Sequence, residues 1–486
     1  MKSLFALIAA FSKRIAKSAS LMSPSERIIS IVFSVLAIIL IVIKGNQLFI
    51  SNTEPIPAFG GSYNEEVLGD VKYLNPVLAK SDAEKSISGL IYDGLVKIGE
   101  DGNVIPDLAK SWEISNDGLV YTFQLQNGIA FHNGQNFSAA DVISTINLIQ
   151  DPNIKSAYLD EWKDVDVTSP DPSVVTFTLP RPYGPFIYQC IQGIISQDDV
   201  NSSLVDNFNG TGPYKFIKTL SIQNGGGKKV TLSANRNYFN GSPYIKDISF
   251  DAFPDAQISL ATSLINNYQA TAGLPNPNDD FQNKDFETER QLALIANLRQ
   301  PNMANVDIRS RIMQFLPGDK IKVRLLALDA KAQRDKADEL IQKANAANIE
   351  IEANFVKSVD YPNAILERNY DLILYGFDYG YDRDPYVFWH GSQSDAMNLA
   401  GYKDKSSDIL LEDARMISDS VARNAKYDQF FESVKNQNLI VFFPYSKYNF
   451  SVKSNIHGIG NIRANKPQDM FANITQWFIT ERRVSK

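Results

Sequence analysis

Residues 320–377 read KIKVRLLALDAKAQRDKADELIQKANAANIEIEANFVKSVDYPNAILERNYDLILYGF. KIKVRLLALD (320–329) reads as a strand. Ala337, Leu340, Ile341 and Ala344 then recur at the spacing of one helix face. IEIEANFV (349–356) reads as a second strand, YPNAILER (361–368) as a short helix, and DLILYGF (371–377) as a third strand. Strand–helix–strand–helix–strand implies a parallel sheet with right-handed crossovers. Such sheets hold their ligands in the crevice beyond the carboxyl ends of the strands. The stretch that leaves the third strand, FDYGYDRDPYVFWHGSQ (377–393), is rich in aspartate and aromatic residues and carries His390. Position alone makes it a candidate ligand wall.

Upstream the pattern is different. VYTFQLQNG (120–128) and SVVTFTLP (173–180) alternate apolar and polar residues, as half-buried strands do. Between them lies a helix that opens on Ser138 as N-cap, carries Asp141 in its first turn and ends before Pro152. NGGGKK (224–229) reads as the loop of a hairpin between KFIKTLSI and KVTLSAN. This half is antiparallel and loop-rich.

The chain has 486 residues, which points to two or three domains. Its 44% hydrophobic and 21% charged residues describe a folded globular protein. The net charge of −7 disfavours nucleic acid as a partner, because phosphate neutralisation needs clustered Lys and Arg. Cys190 is the single cysteine, and His132, His390 and His457 lie far apart, so neither a disulfide framework nor a metal site is expected. No nucleotide-binding GxxxxGK[ST] run occurs, and no cofactor is called for. Near the N-terminus, Lys2, Lys13, Arg14, Lys17 and Arg27 precede an uncharged apolar run from Ile28 to Ile43. As a helix it spans about 24 Å, somewhat less than a hydrocarbon core of about 30 Å, and flanking GNQLFI can extend it. The basic excess places the N-terminus in the cytoplasm and the bulk of the chain outside the membrane. An uncleaved anchor over 28–50 is expected, preceded by a cytoplasmic basic segment (1–27) and followed by a tether (51–60). A cleaved signal peptide is the alternative.

Residues 92–142, YDGLVKIGEDGNVIPDLAKSWEISNDGLVYTFQLQNGIAFHNGQNFSAADV, are the most specific in the chain. They resemble the extracellular solute-binding proteins of family 5, the peptide, oligopeptide and nickel receptors of ABC importers. Gly94, Leu95, Val96, Pro106, Leu108, Ala109, Trp112, Tyr121, Phe123, Leu125, Phe131, Gly134, Ala140, Asp141 and Val142 fall in the family's order. YLNP (73–76) resembles its N-terminal LnP element, and GTGPYKF (210–216), DPYVFWHGSQ, NLAGYKDKSSDILLEDAR and PYSKYNFSV (444–452) resemble its later elements. The resemblance implies an α/β, two-lobed periplasmic-binding-protein-like fold. Lobe I would hold 61–253 and 456–486 with an extra subdomain at about 100–208, and lobe II would hold 254–455. After LALIANLRQPNMANVDIRSRIMQFL (292–316) the next strand follows almost at once, so lobe II is expected to be shortened by some tens of residues.

By the same resemblance, Asp378 meets a ligand's ammonium group, a charge-assisted contact. The bland reading of Asp378 is a loop acid holding the turn at Gly380. Asp384–Pro385 is read as a turn or helix cap. Phe377, Tyr379, Tyr381, Trp389 and His390 are candidates for an apolar and stacking wall, with core packing as the competing reading for Trp389. Asp70, Val71 and Tyr73 lie where the family's first lobe meets an extended ligand. Trp112, Phe131 and His132 are read as structural, and Gly212 and Pro213 as turn-setting. The function expected is a membrane-anchored, non-enzymatic receptor that captures an oligopeptide or similar small solute by hinge closure and delivers it to an ABC permease. A degenerate receptor serving as scaffold or sensor, and a surface glycan or peptide hydrolase, are the alternatives.

Overall fold

The computed structural model describes residues 23–200, 208–222, 226–254, 268–272, 280–284 and 286–486. Asn224 and Gly225 of the expected hairpin loop and most of 254–279 fall outside the described residues. The chain forms two compact units, 1–58 with 480–486, and 59–479.

In the first unit, the apolar run lies within the helix Pro24–Asn52. Ser23 caps it in a reciprocal capping box with Glu26, and Pro24 occupies the first turn, where a missing N–H costs nothing. The helix is long and apolar enough to cross a membrane. Strand Thr53–Ala58 follows directly and pairs antiparallel with Thr480–Ser485. The Arg483 guanidinium donates to the Ile50 and Thr53 carbonyls, satisfying acceptors that a helix end leaves open.

The second unit is built on three main sheets. A seven-stranded sheet runs in the order Phe281–Asn283, Phe450–Lys453, Ala270–Ala272, Ser62–Leu68, Asp247–Phe253, Lys228–Ala234, Tyr214–Ser221. Its central strand Ser62–Leu68 is parallel to both neighbours, and the other pairs are antiparallel. A four-stranded antiparallel sheet orders Ala109–Ile114, Val120–Leu125, Val174–Thr178, Asp166–Asp171, with helix Ala139–Gln150 packed on it. The expected helix start is observed, with Ser138 and Asp141 forming a capping box.

The five-stranded sheet carries the motif of 320–377. Ile349–Val356, Ile321–Leu328 and Leu372–Asp378 are parallel, as the alternation of strands and helices requires. Beyond them Phe286–Ala296 and Ile440–Tyr448 add on antiparallel. Both faces of this sheet are buried. Ile373 and Phe377 pack on one side against the helices Lys405–Met416 and Ser420–Asn436, while Leu372 and Leu374 pack on the other with Ala337, Leu340 and Ala344 of the helix Lys331–Ala346. Two-sided burial explains why DLILYGF is nearly all apolar instead of alternating. Ile341 is only half-buried, at the edge of the helix face.

The chain passes from the seven-stranded to the five-stranded sheet between Asn283 and Phe286 and returns between Tyr448 and Phe450. The two crossings run side by side, since Phe286 pairs with Tyr448 and its ring stacks on Phe450.

Candidate functional site

A cavity of about 1750 Å³ is lined on one side by the loop leaving the five-stranded sheet at Asp378 and on the other by helix Asp82–Ile91, the strand pair Val96–Ile98 and Val104–Pro106, and the segments around Tyr158–Val165 and Leu179–Gly193. The loop leaving Leu372–Asp378 forms one wall, as its position in a parallel sheet leads one to expect.

Three aspartates of this loop are sorted by their partners. Asp382 is buried, takes the Arg423 guanidinium at 2.7 Å and accepts the Tyr427 hydroxyl at 3.0 Å. Asp384 accepts the Tyr386 N–H at 2.9 Å and pairs with Arg415 at 2.7 Å, so it both shapes the turn and ties it to the helix Lys405–Met416. Asp378 is exposed on the cavity wall. One of its oxygens accepts the Gly380 N–H at 3.1 Å, holding a turn in which Gly380 has φ +71. The other is paired with Arg290 at 3.1 Å. Burial pushes the Asp378 carboxyl up, but Lys466, Arg290 and the Gly380 N–H outweigh it, and the group sits below its ordinary value.

Arg290 stands opposite Asp378 in the ladder between Phe286–Ala296 and Leu372–Asp378. It also makes a bidentate pair with Asp82, 2.7 Å from each oxygen, at the start of helix Asp82–Ile91. One guanidinium thus joins the two walls. Tyr381 does the same farther along. Its hydroxyl donates to Asp469 at 2.7 Å and its ring stacks on Tyr188 at 6.0 Å. Burial raises the Asp469 carboxyl to about 6, with the Tyr381 hydroxyl and the N–H groups of Lys466 and Asn465 acting in the opposite sense. A third contact is backbone to backbone, from the Gly184 N–H to the Arg415 carbonyl at 2.7 Å.

Of the residues singled out from sequence, the structure brings Asp378, Tyr379 and Tyr381 together on the cavity wall. Phe377 and Trp389 are core side chains, each 1% exposed. His390 is buried, with its Nδ1 against the Ser392 hydroxyl and its Nε2 against Glu412. Asp70, Val71 and Tyr73 lie in the loop after Ser62–Leu68, where the Glu84 carboxylate gathers the N–H groups of Lys72, Tyr73, Lys80 and Ser81. Val71 is buried, Asp70 pairs with Lys72, and none of the three lines the cavity. Phe131 is a core residue, and His132 bonds the Gly212 carbonyl. Gly212 is needed for close approach: a Cβ there would lie 2.6 Å from the backbone of Leu90 and Ile91. Sequence reasoning missed Arg290, Lys85, Lys466 and Asp469. Each comes from a segment distant in sequence from the Asp378 loop, and none belongs to a local motif.

The loop that leaves the five-stranded sheet at Asp378 thus faces the helix Asp82–Ile91 across a large cavity. The chain is similar to the extracellular solute-binding proteins of family 5. Residues 103–321 match the model of the bacterial extracellular solute-binding proteins, family 5 Middle. It is 22% identical to the oligopeptide-binding protein AppA of Bacillus subtilis, over 93% of this chain and 98% of that one. It is 30% identical to the nickel-binding periplasmic protein of Escherichia coli, over 37% of this chain and 35% of the relative. The crystal structure of the ABC transporter substrate-binding protein CtaP of Listeria monocytogenes has the same fold, with a TM-score of 0.74 at 21% identity, covering 86% of this chain and 99% of that chain. Each of these relatives is named as a binding protein.

Proposed function

We propose that this chain is a membrane-held receptor that closes on a short peptide or comparable small solute and presents it to an ABC permease. The observation that carries the reading is the cavity whose walls, the Asp378 loop on one side and the side of helix Asp82–Ile91 on the other, meet through Arg290, Tyr381 and Gly184. A ligand that touches both walls favours the closed arrangement by its differential affinity, which is all a receptor of this kind requires.

The lobes divide along the sheets: one carries the seven- and four-stranded sheets, the other the five-stranded sheet. Asp378 takes the cationic end of the solute, helped by its depressed proton affinity, and Tyr379 and Tyr381 supply apolar area beside it. The helix Pro24–Asn52 anchors the chain with its basic N-terminal side in the cytoplasm.

The full-length protein, purified in detergent, should carry small peptides or related solutes detectable by mass spectrometry after denaturation. Adding back such a solute should raise the thermal midpoint in proportion to RT ln(1 + [L]/Kd), about 2.7 kcal/mol at a hundredfold excess over Kd. A preparation that carries no solute, and whose midpoint no peptide shifts, refutes the reading.

A further inference from the structure

Helix Pro24–Asn52 runs past the apolar stretch, and strand Thr53–Ala58 leaves it with no intervening loop. That strand pairs with Thr480–Ser485, Thr53 opposite Ser485 and Ala58 opposite Thr480, and no further strand joins them among the described residues. Little covers this ribbon. Among its residues Thr53 alone is buried, and Arg482, Arg483, Ser485 and the following Lys486 are exposed. Pro55 and Pro57 lack the N–H that a ladder uses. A two-stranded ribbon is marginal in water by itself, so its surroundings must supply part of its stability.

The ties lie at the helix end. The Arg483 guanidinium donates through Nε to the Thr53 hydroxyl at 2.8 Å, and through one terminal nitrogen to the Ile50 and Thr53 carbonyls at 3.1 and 2.8 Å. The Lys486 N–H donates to the Asn52 carbonyl at 3.0 Å. These bonds close carbonyls that a helix end leaves open, and a cation there complements the helix dipole. The Arg482 and Lys486 side chains form no ion pair with any described residue. Counted from Arg27 at about 1.5 Å per residue, a hydrocarbon core of about 30 Å ends near Gln47, and a headgroup layer of about 6 Å takes in 48–51. Leu48, Phe49 and Ile50 are exposed at that level. Arg483 bonds the backbone there, which sets Arg482 and Lys486 at the height of the lipid phosphates.

We infer that strand Thr480–Ser485 is a membrane-surface clamp, in which Arg483 caps the anchor helix while Arg482 and Lys486 hold the phosphate groups of the lipid headgroups around it. Continuity with an apolar helix and complementary charge carry the assignment. It rests on the reading of Pro24–Asn52 as an anchor and deepens it by naming the headgroup phosphate as a second point of attachment. The helix is then a lasting part of the folded chain, because removing it takes away the Ile50 and Asn52 carbonyls that the clamp uses.

The test compares the full-length chain in phosphatidylglycerol nanodiscs and in dodecyl maltoside micelles, which carry no phosphate. Amide exchange of 480–485 should be at least about tenfold slower in the nanodiscs, since each of two basic side chains near an anionic surface contributes about fivefold. Arg482→Gln with Lys486→Gln should abolish that difference, and Arg482→Lys with Lys486→Arg, which keeps both charges, should preserve it. Arg483→Gln should speed exchange in both media, because its bonds are to the helix end. An unchanged thermal midpoint reports that each variant is folded. A nitroxide on Ser485→Cys, with the native Cys190 buried, should read headgroup depth. Equal exchange in the two media, a Gln variant that exchanges like the wild type, or a nitroxide in bulk water overturns the inference and leaves the anchor reading standing. An intact mass that begins after Lys44, or release of the chain from membranes by alkaline carbonate, removes the anchor reading as well.

Discussion

At the residue scale, Asp382 and Asp378 show how one loop divides buried charge from charge on the cavity wall. The Asp382–Arg423 pair is almost wholly buried, with side chains 8% and 1% exposed, and Arg423 also donates to the Ile417 and Ser418 carbonyls. Removing the carboxylate strands a buried guanidinium, which costs far more than losing an exposed pair. Asp382→Asn is therefore expected to destabilise the chain by about 3–5 kcal/mol, read as a lower urea midpoint with an unchanged slope. A shift under about 1 kcal/mol would show that Arg423 finds its satisfaction elsewhere. Asp378, half-exposed and shared with Arg290, lies open on the cavity wall.

At the element scale, strand Ser62–Leu68 is the centre of the seven-stranded sheet and buries Glu65 at 1% exposure. The Tyr63 hydroxyl donates to the Glu65 carboxyl, and burial raises that carboxyl to about 8 against the effect of this bond. The folded state thus holds a proton that the unfolded chain, with a carboxyl near about 4.3, releases earlier. The folded state binds more protons between these values, so the contribution is complete below about pH 4.3 and is lost as pH rises through about 8. Stability is expected to decline over that window in the wild-type chain. In Glu65→Gln, which mimics the protonated form, urea midpoints measured from pH 5 to 9 should decline less steeply. Parallel curves for the two proteins would show that Glu65 ionises without cost.

At the scale of the whole molecule, the proposed closure would bring together contacts too close to tolerate added atoms. A Cβ on Gly184 would lie 1.9 Å from the Ile417 carbonyl oxygen, so one wall cannot reach the other if this glycine is replaced. Gly184→Ala should leave each sheet intact but hold the walls apart. Solution scattering should report a larger radius of gyration with solute present, and affinity should fall by about tenfold or more, about 1.4 kcal/mol. Unchanged scattering and affinity would mean that the Gly184–Arg415 contact is dispensable for closure.

Much of this molecule is written locally. The parallel unit of 320–377 follows from apolar runs of strand length separated by a helical face, the helix at Ser138 from its capping box, and the placement of the Asp378 loop from the rule that crevices open beyond strand carboxyl ends. Local pattern also marked the apolar helix near the N-terminus. It could not tell Tyr379 and Tyr381 on the cavity wall from Phe377 and Trp389 in the core, because burial of an aromatic ring depends on what the neighbouring elements lay over it. Nor could it find Arg290, Lys85, Lys466 or Asp469, whose partners lie far away in the chain. Backbone preference and periodicity act over a few residues and are legible in order. Charge pairing and closure act through space, and only the folded arrangement brings those groups within reach of one another.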